Sequence, residues 1–172
     1  MNERIFGITG WKNSGKTTLT ERLVTHFTAQ GFRVATVKHA HHSFDIDRQG
    51  TDSFRHRQAG AVETAIVSAN RWALMHELRS EQEPQLSEIL QRLSPADLVL
   101  VEGYKNDAHP KIECRRVGAR DQAPLHRTIA NIMAIATETP EQQSTPPQFH
   151  VDDVESIGEF ILDFLGLNST SR

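Results

Sequence analysis

Residues Gly10-Trp11-Lys12-Asn13-Ser14-Gly15-Lys16-Thr17 fit the pattern G-x-x-x-x-G-K-[ST], and each fixed residue type in it has a use in holding polyphosphate. The glycines let successive backbone N–H groups turn inward on α- and β-phosphates. The Lys16 ammonium reaches the β/γ oxygens, and the Thr17 hydroxyl is a hard oxygen ligand for Mg²⁺. The pattern is short enough to arise by chance, so its flanks decide its meaning. Before it, Arg4 to Thr9 is a short apolar run suited to a buried strand; after it, Leu19, Leu23, Val24 and Phe27 recur at helical spacing until Gly31. Strand, glycine-rich turn and helix in that order aim the free N–H groups of a helix N-terminus at one anion.

A metal beside such a loop needs a second oxygen donor, and the end of a neighbouring buried strand is the place to look. Leu98-Val99-Leu100-Val101 is the most apolar run of the chain, reads as a central strand, and ends at Glu102. Glu102 is therefore expected to manage Mg²⁺, its arm one methylene longer than that of the commoner aspartate. A third cluster, Lys38-His39-Ala40-His41-His42-Ser43-Phe44-Asp45-Ile46-Asp47-Arg48, follows the second strand on the edge where open α/β sheets bind ligands. No cysteines or distant histidines complete a zinc set. The cluster is expected to form a switch-like loop: Asp45 or Asp47 approaches the Mg²⁺ or a catalytic water, and Lys38 and the histidines meet anionic ligands.

The elements that must position these residues follow from periodicity. Phe32 to Lys38 reads as the second strand, closing a β-α-β unit that implies parallel pairing with a right-handed crossover. A short helix is expected over residues 52–59, a hairpin from Val62–Ser68 and Arg71–Leu78, and an amphipathic helix over residues 86–93. Lys111 to Val117 and Asn131 to Thr137 predict two more strands, with 118–128 and 138–148 as irregular connections. A last helix starts near Asp152-Asp153. The fold class is α/β, a three-layer P-loop arrangement with a mostly parallel sheet and an antiparallel hairpin at its edge.

With 172 residues, 37% hydrophobic and 24% charged, the chain is expected to form a single domain over 1–172. A net charge of −3 with scattered basic residues gives no field for nucleic acid. No stretch has the length and apolarity of a membrane span and no signal-peptide pattern opens the chain, so a cytoplasmic location is expected. The single Cys114 has no internal partner. Two devices are missing from the sequence. There is no Asn-Lys-x-Asp element to read guanine, and no arginine-rich lid; Arg115, Arg116 and Arg120 come nearest to one.

The P-loop with tryptophan after its first glycine is followed in order by Val37-Lys38-His39-Ala40-His41-His42, Asp45-Ile46-Asp47, Gly50-Thr51-Asp52-Ser53, Arg57-Gln58-Ala59-Gly60-Ala61, Arg71-Trp72-Ala73-Leu74-Met75 and Leu100-Val101-Glu102-Gly103-Tyr104-Lys105. That ordered set resembles the MobB family of molybdopterin-guanine dinucleotide biosynthesis adaptors, over at least residues 5–137. The resemblance implies a homodimeric GTP-binding protein with weak GTPase activity. It implies work beside the molybdenum cofactor nucleotidyltransferase that joins GMP to molybdopterin. Carried over position by position, Gly10, Trp11, Lys12, Asn13, Ser14, Gly15, Lys16, Thr17 and Thr18 would cradle the phosphates of GTP, and Thr17 and Glu102 would manage Mg²⁺. Asp45 and Asp47 would lie in the loop nearest the γ-phosphate and, with Lys16 and Glu102, form the catalytic set. Glu138 ends a strand on the same ligand edge, and its carboxylate is expected to accept from guanine N1 and N2.

Two other classes stay open. A small-molecule kinase or ATP-dependent ligase of the dethiobiotin-synthetase type shares the P-loop and the parallel sheet. A partitioning ATPase needs a second lysine five residues before Lys16, where this chain has Trp11, with Lys12 displaced by one.

Overall fold

The computed structural model describes residues 4–40 and 44–167. In chain order the elements are β1 (Ile5–Thr9), α1 (Lys16–Ala29), β2 (Val34–Lys38), α2 (Asp52–Gln58), β3 (Glu63–Val67), β4 (Trp72–His76), α3 (Leu86–Arg92), β5 (Leu98–Glu102), β6 (Lys111–Arg115), β7 (Ile132–Thr137), β8 (Gln148–His150) and α4 (Val154–Phe164). They fall into two compact units, one running to His39 and again from Leu93, the other from Ala40 to Arg92.

The first unit is built on a six-stranded sheet in the order β2-β5-β1-β6-β7-β8, every neighbouring pair parallel. Strand alternation sends Phe6, Ile8, Leu98, Leu100, Ile112, Cys114, Ala134 and Ala136 to one face. There they pack with Leu19, Leu23 and Phe27 of α1 and Ile157 and Ile161 of α4 in one core. The α4 helix starts where the sequence placed it, with the Asp153 side chain accepting from the Ser156 N–H at 3.1 Å.

The opposite face carries Gly7, Thr9, Lys111 and Glu113, in register as Gly7–Lys111 and Thr9–Glu113. Because β5, β1 and β6 are parallel, residues 103–110 must return across β1 to begin β6, and no helix forms on the way. The Gly7 N–H donates to the Pro110 carbonyl at 2.8 Å, and a side chain at Gly7 would run into the His109 ring and Lys111 Cβ. The crossing segment is itself half-buried or exposed, and the carbonyls it turns toward the sheet need partners. Lys111, fully buried, supplies them, its Nζ donating to Asp107 O and His109 O at 2.7 Å each.

Residues 138–148 are expected to be wholly irregular, but Gln148 opens a short edge strand, β8, beside β7. The signal is weak because two prolines precede it; the carbonyl of Pro147 accepts from Ile135 N at 3.0 Å and starts the pairing.

The second unit holds α2, the β3–β4 hairpin and α3. The hairpin is a sheet of its own rather than an edge of the parallel one. Ser68 completes its turn, its Oγ donating to Arg71 O at 3.0 Å and accepting from Asn70 N and Arg71 N. This is how Asn-Arg, a poor turn pair by composition, is accommodated.

The crossing over β1 predicts that Gly7→Ala costs about 2 kcal/mol of stability by overpacking, read as a lowered urea midpoint at unchanged m-value. An unchanged midpoint would mean that the 103–110 segment yields freely.

Candidate functional site

The parallel ladder sets Glu102 of β5 beside Ile8 of β1 and opposite Lys38 of β2, so the ends of three strands converge below the loop that leaves β1. That loop runs from Gly10 to Gly15 and opens α1 at Lys16. Gly10 has φ 148°, and a Cβ there would meet Ser14 Oγ and the Cys114 carbonyl, so only glycine lets the backbone turn so close to β6. Asn13 takes a left-handed φ of 66°, a conformation asparagine tolerates. Ser14 is buried, and its hydroxyl has no hydrogen-bond partner among the described residues.

Lys16 Nζ donates back to the carbonyls of Gly10 at 3.0 Å and Trp11 at 2.8 Å. Burial holds its pKa below the ordinary lysine value, partly offset by Cys114 and Glu102, while the like charge of Lys38 lowers it further. Thr17 Oγ1 donates to Glu102 Oε1 at 2.9 Å, and Glu102 is buried. Lys38 Nζ lies 3.2 Å from the same carboxylate oxygen and 3.5 Å from Thr17 Oγ1. The chain then turns sharply through Gly103 at φ 95° and Tyr104 at φ 45°, and the Tyr104 ring lies 4.8 Å from the His39 ring, tilted 45° to it.

These residues fit a nucleoside polyphosphate with a divalent cation on three counts. The buried Ser14 hydroxyl is unsatisfied, the Gly10 turn leaves no room for a side chain, and Thr17 and Glu102 bring together the hard oxygen donors that Mg²⁺ takes.

A segment that the sequence reads only as loop packs against this site. Trp11 Nε1 donates to Ala123 O at 2.8 Å, and Arg120 N donates to Lys12 O at 2.9 Å. The segment is anchored by Glu113, fully buried, which accepts from Leu125 N, His126 N and His126 Nδ1 at 2.9, 3.0 and 2.9 Å. Between segment and P-loop lies a small crevice lined by Trp11, Cys114, Arg115, Arg116, Ala119, Asp121 and Gln122. Arg116 lies against the Cα of Gly15, and Lys105 Nζ stands 5.0 Å from the centre of the Trp11 ring.

The exposed Glu138 accepts from Val117 N at 3.0 Å through Oε2, bridging the ends of β7 and β6. Thr18 is exposed on the first turn of α1. Asp45 and Asp47 belong to the second unit and converge there on Arg57. The Arg57 guanidinium contacts both Asp45 oxygens at 3.1 and 2.8 Å and Glu77 at 3.1 Å, and its Nε is 3.7 Å from Asp47. Asp47 also accepts from the Thr51 and Ser53 hydroxyls at 2.8 and 3.0 Å, securing the start of α2. The expected roles of His41, His42 and Ser43 lie outside the described residues.

The match to known proteins is as specific as the geometry. Residues 5–138 match the family described as molybdopterin guanine dinucleotide synthesis protein B, MobB. The chain belongs to the MobB family. It is 34% identical over 163 residues to the molybdopterin-guanine dinucleotide biosynthesis adapter protein of Escherichia coli, covering 94% of this chain and 93% of that one. Its likeness to the adapter protein of Haemophilus influenzae is also 34%, over 169 residues, covering 96% and 92%. Among solved structures, a MobB protein homolog from Bacillus stearothermophilus superposes with a TM-score of 0.70 at 29% identity, covering 98% of this chain and all of that one. The MobB-family span takes in the P-loop, Lys38, Glu102 and, at its last position, Glu138.

Sequence reasoning missed Arg57 as the partner of Asp45 and Asp47, and Glu113 as the anchor beside the P-loop. Both work through tertiary pairing. The one available signal was an acid on the buried-looking Lys111–Val117 run.

Arg57 predicts a titration. The backbone N–H of Asp47 and the Arg57 guanidinium both hold the Asp45 carboxyl below its ordinary value of 3.8. A lowered folded pKa means that this pairing stabilises the fold above the unfolded value and is lost as pH falls through the folded one. Carboxyl NMR should show Asp45 titrating below 3.8 in the wild type and moving upward in Arg57→Gln. Identical titrations would remove Arg57 from the account.

Proposed function

We propose that this MobB-family chain binds GTP with Mg²⁺ at Gly10–Thr18 and serves as an adaptor beside the nucleotidyltransferase that attaches GMP to molybdopterin, in the cytoplasm. The observation that carries the nucleotide reading is the Thr17–Glu102 contact of 2.9 Å beside a glycine-rich loop whose buried Ser14 hydroxyl has no partner among the described residues. The names of the relatives support the biosynthetic role.

In this reading the N–H groups at the start of α1 bind phosphate oxygens, and Lys16 exchanges the Gly10 and Trp11 carbonyls for them, a stronger charge-assisted contact. Thr17 and Glu102 hold the cation, which when bound neutralises charge building on the phosphates. Glu138 reads guanine N1 and N2. Its oxygens each have two lone pairs, so the bond from Val117 leaves acceptor capacity. Hydrolysis is slow.

Calorimetry with GTP and ATP in the presence of Mg²⁺, with Lys16→Ala as control, tests the site. Tighter GTP binding that the substitution abolishes is expected. Equal affinities would count against Glu138 as a guanine reader, and undiminished binding in Lys16→Ala against the site. Turnover without partner should stay far below one per second, as for P-loop GTPases lacking an arginine finger, roughly 10⁻⁴ s⁻¹. Fast γ-phosphate transfer to a small acceptor would favour the kinase reading instead.

The hairpin supports a homodimer. Register places Val67 opposite Trp72 and Ala65 opposite Leu74 on one face. Val67, Trp72 and Leu74 are 75%, 68% and 50% exposed, whereas Thr64 and Met75 on the other face are buried. A lone two-stranded sheet is marginal in water, and a second copy laid on this apolar face would give it a covering. Trp72→Glu with Leu74→Glu should sediment as a monomer where the wild type is a dimer; a dimeric double variant would place the contact elsewhere.

A further inference from the structure

Lys38 has a feature that phosphate binding does not explain. Its ammonium faces the metal-side pair rather than the P-loop, 3.2 Å from Glu102 Oε1 and 3.5 Å from Thr17 Oγ1, and those two oxygens are 2.9 Å apart. The three atoms form a closed triangle, so a cation ligated by both oxygens would have to share Glu102 Oε1 with the lysine ammonium. Taking Thr17 and Glu102 as the cation's oxygen donors, the reading on which this inference rests, we propose that Lys38 is a built-in counter-ion. It compensates Glu102 when no divalent cation is present and must be displaced for one to bind.

The physical case has three parts. The Glu102 side chain is 10% exposed, and a buried carboxylate without a positive partner is strongly unfavourable. Lys16 also feels the Glu102 charge, but its hydrogen bonds go to the carbonyls of Gly10 and Trp11, so among the described residues Lys38 is the cation in direct contact with the carboxylate. The exchange is also mechanically easy. The Lys38 backbone is fixed by its ladder position opposite Glu102, while its side chain is 59% exposed and can swing into solvent without disturbing the sheet. An ammonium and a divalent cation within about 4 Å of each other repel, so one excludes the other.

Competition has a direct readout that requires neither nucleotide nor turnover: Mn²⁺ binding to the full chain, followed by electron paramagnetic resonance. Lys38→Met, which keeps the stem and removes the charge, should bind Mn²⁺ roughly tenfold more tightly than wild type, and Lys38→Arg should stay near wild type. Adding Glu102→Gln to Lys38→Met should abolish the gain. Equal Mn²⁺ affinity in wild type and Lys38→Met overturns the proposal, and weaker binding in Lys38→Met makes Lys38 a supporting group rather than a competitor. Should Lys38→Met fail to fold with Glu102 uncompensated, the wild type answers alone. Acetylation of the Lys38 amine, followed by mass spectrometry, should accelerate when Mn²⁺ saturates the protein, and an unchanged rate sinks the idea. Failure of the GTP reading shows separately, as absent GTP binding in calorimetry alongside an intact Mn²⁺ response.

Discussion

The parallel ladder of β2, β5 and β1 is the constraint on which the site depends. Parallel strands bring their C-terminal ends to one edge, and the register that pairs Lys38 with Glu102 and Glu102 with Ile8 fixes the heights of those ends to within a residue. From Ile8 the chain needs only Thr9 before Gly10 opens the glycine-rich loop, so Thr17, on the first turn of α1, comes down onto Glu102. A slip of one residue in β5 would turn Glu102 to the opposite face and leave Thr17 facing an apolar side chain.

Parallel pairing also has a cost that shapes the rest of the first unit. Strand β6 must start at the far end of the sheet from where β5 stops, and the chain makes that return in eight residues without a helix, over Gly7. Backbone laid over a sheet without its own hydrogen-bond ladder needs partners for the carbonyls it turns inward. Lys111 and Glu113 supply them on adjacent inward positions of β6, one donating to the crossing segment, the other accepting from the segment that supports Trp11. Two charged residues at the centre of a sheet thus take the place that a covering helix fills elsewhere, and one of them steadies the P-loop.

In the second unit, one guanidinium gathers the acids. Arg57, on α2, holds Asp45 and Asp47 from the preceding loop and Glu77 just beyond β4, so helix, loop and hairpin share a single charged hub. Phe44 and Ile46, alternating with the two bound acids, are left exposed. With the open hairpin face, they give the second unit an exposed apolar surface.

The P-loop, the strand that feeds it, α1, the central β5 and Glu102 were all legible in the sequence. Their signals are local: a spaced glycine pattern, helical periodicity, and an apolar run ended by an acid. The family likeness was legible too, because it rests on ordered motifs. Beyond the sequence lay everything set by pairs distant along the chain. Alternation in Lys111 to Val117 gives a strand but not the burial of its charged side, since the crossing segment over Gly7 covers Lys111 and the segment of Leu125 and His126 covers Glu113. The hairpin's strands were readable, its separation from the parallel sheet was not, because the choice depends on which ladder edges remain to be paired. Lys38 reads as a basic residue beside a histidine loop. Its place on Glu102 and Thr17 came from strand register, which no window of sequence contains.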